Sequence, residues 1–131
     1  MLSEKDLARY SCQMIMPEIG FEGQQKLKSA RIFIAGTGGL GSAVAIYLNA
    51  AGVGTLGIAD SDCVERSNLH RQIIFTEKDL GKPKAEAAKQ NLSEMNPEIK
   101  INVHGKIDDN IADIIKNYDI IIDCTDNFSA R

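Results

Sequence analysis

Apolar residues fall in short blocks along the chain, and their spacing changes from block to block. Leu7, Tyr10 and Met14 recur at near-helical intervals, which predicts a first helix running to about Met14, with Ser3 and Asp6 as its capping signal. Pro17 and Gly20 break it, and the stretch GFEGQQKLKSA offers a short second helix. Arg31 to Ala35 is a continuous apolar run with β-branched content, so it predicts a buried strand. That run stops at Gly36, Gly38, Gly39 and Gly41. A small-residue helix follows, from about Leu40 to Ala51, closed by Gly52 and Gly54 as a left-handed cap. Thr55 to Ala59 then makes a second apolar strand that delivers Asp60 at its carboxyl end.

Beyond Asp60 the pattern is lost. DSDCVERSNLHRQIIF has no clear period and too many specific side chains for a simple connector. Thr76 caps a single turn through Leu80, Gly81 ends it, and Pro83 suits the first turn of a helix from Lys84 to Met95. Asn96 and Pro97 close that helix. Glu98 to His104 alternates apolar and polar residues as a third strand does. Asp108 to Asn117 predicts a further helix with Ile111, Ile114 and Ile115 on one side. Tyr118 to Cys124 is a fourth, continuously apolar strand, expected to be buried on both faces. It ends in Thr125, Asp126 and Asn127.

Strands alternating with helices predict an α/β fold with a Rossmann-like parallel sheet, flanking helices and an N-terminal helical extension. Right-handed crossovers place the strands in the order 3-2-1-4. The expected organisation is a helical extension over residues 1–30 and a nucleotide-binding domain over residues 31–131. The fourth strand is too apolar for an edge, so either another element covers it or the sequence is cut short there.

Composition narrows the function classes. The chain has 131 residues, enough for one domain with a core, and its 25% charged and 44% hydrophobic residues are ordinary for a globular protein. A net charge of −3 gives no basic surface, so no nucleic-acid partner is expected. The longest apolar runs are strand-sized and MLSEKDLARY is not of signal-peptide type, which predicts a cytoplasmic protein without a membrane partner. Cys12, Cys63 and Cys124 lack C-x-x-C spacing, so neither a disulfide framework nor zinc ligands are indicated. Cys124 reads as a buried strand residue. His70 and His104 have no partner that suggests a metal site.

The glycine turn carries the chemistry. Gly36 permits the turn, Gly38 and Gly39 let a phosphate approach the backbone, and Gly41 lets helix and strand pack closely. The helix start offers unpaired N–H groups to an anion. Asp60, about 20 residues beyond the turn, is placed to accept hydrogen bonds from a ribose. Read alone, Gly36 to Asp60 also permits a nicotinamide-dependent oxidoreductase, a reading that leaves the S-N-L-H-R-Q loop and Lys84 unexplained. Taken singly, Arg71 and Lys84 are ordinary surface or ion-paired residues and Asp126 is a turn residue.

Six ordered motifs go further: RYSCQ with PEIGFEGQQKL, GTGGLGS, DSDCVERSNLHRQ, GKPKAEAA, NP after the helix, and DCTDN. Together they resemble the ThiF/MoeB/HesA family, prokaryotic relatives of ubiquitin-activating enzymes, over essentially the whole chain. The resemblance implies ATP and magnesium as cofactors. It implies adenylation of the C-terminal glycine carboxylate of a ubiquitin-like sulfur carrier serving thiamine or molybdenum-cofactor synthesis, with a homodimer as the assembly. It also implies that Gly39 approaches the phosphates and Asp60 holds the ribose. Ser67, Asn68, Leu69, His70 and Arg71 would line the nucleotide, Arg71 and Lys84 would meet phosphate, and Asp126, beside Asn127, would bind the metal. An ionised carboxylate attacking the α-phosphorus needs no general base, only cations that neutralise gathering charge, so Arg71, Lys84 and Asp126 are the expected catalytic groups.

Two departures accompany the resemblance. The family's R-Y-x-R-Q reads R-Y-S-C-Q here, with Cys12 where an arginine would reach the phosphates of the neighbouring subunit. Family members also continue past DNF with the rest of the sheet, a cysteine-containing loop and often two zinc-binding C-x-x-C pairs. A truncated or degenerate nucleotide-binding module without turnover is therefore the alternative expectation.

Overall fold

The computed structural model describes residues 1–126. Its elements are α1 (Glu4–Met14), α2 (Gly20–Ser29), β1 (Arg31–Ala35), α3 (Gly39–Ala51), β2 (Thr55–Ala59), α4 (Lys84–Met95), β3 (Lys100–His104), α5 (Ile111–Ile115) and β4 (Ile120–Asp123), with single 3₁₀ turns at Arg66–Asn68 and Glu77–Asp79. The four strands form one parallel sheet in the order β3-β2-β1-β4. This is the order the crossover rule predicts.

Alternation along β1 sends its side chains to two cores. Ile32 and Ile34 join Leu56, Ile58, Ala88 and Leu92 on the face covered by α3 and α4. Phe33 and Ala35 face the other way with Ala59, against Ile107, Ile111, Ile114, Ile115 and Tyr118. Ile34 is fully buried, so its truncation to alanine costs about 2–5 kcal/mol.

The N-terminal helices dock on the end of α3 through polar groups. Ser3 and Asp6 form the predicted capping box on α1. Asp6 also meets the Lys28 Nζ of α2 at 2.7 Å. Gln13 and Gln24 both donate to the Ala51 carbonyl, at 2.8 and 3.1 Å. Gly52, at φ +93°, has no room for a side chain: a Cβ there would lie 2.6 Å from the Tyr10 ring. The Tyr10 hydroxyl accepts from Asn96 Nδ2 at 2.8 Å, which ties α1 to the end of α4. Cys12 is exposed on α1.

Three expectations change. The third strand starts at Lys100 because Asn96 to Ile99 form a turn, with the Ile99 N–H on the Asn96 carbonyl. The fifth helix shrinks to Ile111–Ile115 because Asp108 caps a turn, accepting the Asn110 N–H on its side chain and the Ile111 N–H on its carbonyl. The fourth strand is not buried on both faces. Among the described residues it pairs only with β1, and Ile120 and Ile121 are 52% and 43% exposed. An apolar run implies two covered faces when strands flank it on both sides, and among the described residues β4 is an edge.

Candidate functional site

A cavity of about 690 Å³ opens at the carboxyl ends of the strands, within the range of small-molecule sites. Gly36, Gly38, Gly39 and Leu40 form one wall, Asp60, Ser61 and Asp62 a second, and Arg71, Gln72 and Lys84 a third. Lys106 and Ile107 after β3, and Cys124, Thr125 and Asp126 after β4, complete it. Each segment arrives there because parallel strands deliver their following loops to one edge of the sheet.

The glycines divide by role. A Cβ on Gly41 would collide with the Gly36 carbonyl, and one on Gly36 would lie 2.9 Å from the Cys124 carbonyl, so backbone packing requires both. Among the described residues no atom requires Gly38 or Gly39: side chains there would meet only Gln72 Nε2 and the Arg71 methylenes, at 3.7 Å. Their effect is to leave cavity space open beside the first turn of α3.

Asp60 serves the turn as well as the cavity. Its Oδ2 accepts from both the N–H and the hydroxyl of Thr37, each at 2.9 Å, and its Oδ1 accepts the Asp62 N–H at 2.8 Å. A carboxylate has about four acceptor positions, so capacity remains on Oδ1.

Lys84 opens α4 and is only 6% exposed. Its N–H donates to the Asp62 carbonyl, and Cys63 bridges Pro83 beside it, so the loop after β2 fixes where α4 starts. Its Nζ lies 3.9 Å from the Asp62 carboxylate. Arg71 lays its methylenes toward Gly39 and donates from Nη1 to the Ser67 carbonyl at 3.1 Å, with His70 Nε2 at 2.9 Å. Among the described residues Arg71 has no carboxylate partner.

The loop from Ser67 to His70 lies behind this wall rather than in it. Asn68 accepts the Glu65 N–H on Oδ1, and its carbonyl accepts the N–H groups of Arg71 and Gln72, while Leu69 packs on the larger core. These residues aim Arg71 and Gln72, and do not themselves line the cavity. Asp126 lines it and is exposed. Asn127 lies outside the described residues.

Cys124 lines the cavity instead of ending inside the strand. Burial and the adjacent Asp123 carboxylate push its thiol up from the usual range, so it stays protonated at neutral pH. It offers no ready thiolate.

Sequence reasoning missed Thr37, Gln72, Lys106 and Ile107. The last two were findable, because the carboxyl-end rule applies to β3 as it does to β1 and β2. Gln72 closes the S-N-L-H-R-Q motif but is given no role there, and Thr37 shows no sequence signal of its own.

A parallel sheet with a glycine turn opening α3, an acid ending β2 and a buried lysine across the cavity defines a Rossmann-type nucleotide-binding module. Residues 10–131 match the ThiF family, and the chain belongs to that family. It is 46% identical over 132 aligned residues to a probable adenylyltransferase/sulfurtransferase MoeZ of Mycobacterium tuberculosis, covering 99% of this chain and 34% of that protein. Against the adenylyltransferase and sulfurtransferase MOCS3 of Drosophila sechellia it is 48% identical, covering 99% and 29%. Among solved structures, E. coli tRNA N6-threonylcarbamoyladenosine dehydratase in complex with ATP superposes with a TM-score of 0.89 at 28% identity, over 97% of this chain and 53% of that one. The chain thus spans about a third of these two curated relatives. No helix among the described residues is long and apolar enough to cross a membrane.

Proposed function

We propose that this chain is the nucleotide-binding part of an enzyme that adenylates the C-terminal glycine carboxylate of a ubiquitin-like sulfur carrier. The pathways served are thiamine or molybdenum-cofactor sulfur transfer. The observation that carries this reading is the meeting of the glycine turn, Arg71, Lys84 and Asp126 around one cavity whose lining cysteine is held as a thiol. Identity of 46% to 48% with relatives named adenylyltransferase and sulfurtransferase favours the same reaction class.

ATP is the substrate. The N–H groups of the glycine turn and the first turn of α3 receive phosphate oxygens, and the free capacity of Asp60 takes a ribose hydroxyl. Lys84, held by its backbone at the start of α4, meets the phosphates as a desolvated cation. Arg71, with no acid to neutralise it among the described residues, supplies the second positive charge. The incoming carboxylate is already ionised, so the residues position reactants and balance charge without abstracting a proton. The open glycine cradle and the unneutralised arginine fit a polyphosphate, and Asp126 on the same wall fits its divalent ion. Magnesium would be held by Asp126 and would neutralise phosphate charge when bound.

The assembly that goes with this reading is a homodimer in which the face of α1 bearing Cys12 approaches the partner's phosphates. Cysteine brings no permanent cation there. That substitution favours the second reading, a nucleotide-binding module without turnover.

Carrier-dependent exchange of labelled pyrophosphate into ATP separates the two. Exchange in the presence of a ubiquitin-like sulfur carrier supports the enzyme. Binding of ATP with magnesium, without exchange and without binding of NAD, supports the module. An Asp126→Ala variant that keeps full magnesium-dependent ATP affinity would remove the metal assignment.

A further inference from the structure

Gln72 is the most conspicuous polar residue that the proposed chemistry leaves without work. It is 3% exposed, while its apolar neighbour Ile73 is 61% exposed, so the chain turns the polar side chain in and the apolar one out. Among the described residues its Oε1 is buried with no hydrogen-bond partner, while Nε2 is the end that faces Gly38. Buried carboxamides normally satisfy both ends, and an orphan in a folded protein calls for a ligand or a strain to explain it.

Its placement points to a ligand. The backbone fixes it firmly: the Gln72 N–H donates to the Asn68 carbonyl at 2.9 Å, and its own carbonyl accepts the Phe75 N–H at 3.1 Å. Gln72 lines the cavity, with Nε2 3.7 Å from where a Cβ on Gly38 would stand. The preceding residue, Arg71, has the same relation to the following glycine, Gly39. Two consecutive side chains therefore flank two consecutive glycines, one bringing charge and the other a neutral donor.

We propose that the Gln72 carboxamide binds the polyphosphate of the nucleotide directly, Nε2 donating to a phosphate oxygen beside Gly38. The assignment rests on the nucleotide reading given above. A neutral donor suits this position because it fixes a phosphate oxygen in direction while Arg71, the residue before it, brings the charge. The unsatisfied Oε1 is the cost of holding Nε2 toward the cavity, and the unliganded protein bears it.

This makes a structural role and a binding role separable. Gln72→Met keeps the length and volume of the side chain and removes both polar ends. In the unliganded chain it relieves the orphan, and the thermal midpoint rises by about 3 °C. Magnesium–ATP affinity by titration calorimetry falls about 10- to 100-fold. Gln72→Glu, which sets an anion against phosphate, lowers affinity further. If affinity is unchanged in Gln72→Met, or falls only together with the unliganded midpoint, Gln72 is a structural residue and the assignment is wrong. Failure of the unaltered chain to bind ATP overturns the nucleotide reading itself, and this assignment with it.

Discussion

Thr37 and Asp60 clasp each other between the ends of β1 and β2, with the Thr37 N–H and hydroxyl both donating to Asp60 Oδ2 at 2.9 Å. The acid expected at the ribose is thus also the post to which the glycine turn is tied. Thr37→Val keeps the shape and the N–H but loses one buried hydrogen bond, so stability falls by about 1–2 kcal/mol in urea denaturation. Asp60→Ala removes both functions, and ATP affinity falls about 10- to 100-fold by calorimetry. Equal affinity in Asp60→Ala would show that Asp60 holds the turn alone.

Lys84 is buried but reaches only a distant, exposed carboxylate, Asp62, at 3.9 Å. Lys84→Met keeps its aliphatic length and removes a cation that burial disfavours. The thermal midpoint is therefore held or raised. Carrier-dependent pyrophosphate exchange falls on the order of 10²-fold or more. Exchange at the original rate would remove Lys84 from the phosphate-binding set.

Asp6 sets an acid limit on the N-terminal helices. The Lys28 ammonium, then the Ser3 N–H, hold its carboxyl down at about 2, against an ordinary 3.8. A depressed folded-state pKa contributes stability that is complete above the unfolded value and disappears as pH falls through the folded one, so the window runs from about pH 4 to pH 2. The contribution is about 2 kcal/mol at neutral pH. Calorimetric unfolding should find Asp6→Asn less stable than the original at pH 7, with the gap closing across that window. A gap independent of pH would mean the ion pair is not its source.

The outer edge of β4 presents Ile120 and Ile121 partly bare. A sheet edge, as β4 is among the described residues, favours association when its apolar side chains are exposed. Sedimentation velocity on the 131-residue chain is expected to show self-association, and Ile121→Lys to reduce it. A monodisperse monomer before substitution would count against this.

Most of the scaffold was legible because it depends on patterns that the chain repeats. Continuous apolar runs gave three of the strands, alternation gave the fourth, and crossover handedness gave their order. In the glycine turn the positive φ of Gly36 and the close packing of Gly41 were legible, while the contact of Gly36 with the Cys124 backbone was not. The edge position of β4 was not, since an apolar run carries no mark of how many neighbours its strand has. Gln72 and Ile73 invert the usual rule of inside and outside, so no periodicity in the loop could assign them. Thr37 was hidden for a simpler reason, because its partner Asp60 is distant in sequence and comes near only once β1 and β2 are paired.

The central position of β1 also has a consequence for how the protein is made. One side of β1 pairs early with β2, but its other side waits for β4: Arg31 and Asp119, which join the two strands, stand 88 positions apart. At ribosomal rates of roughly 5–20 residues per second, that flank of β1 stays open on the order of ten seconds after it is synthesised. Ile32, Phe33 and Ile34 are the most apolar segment of the sheet's middle, and during that interval they are its most sticky edge. Expression at lower temperature, or with a chaperone that shields nascent strands, should therefore improve soluble yield more than any change at the cavity.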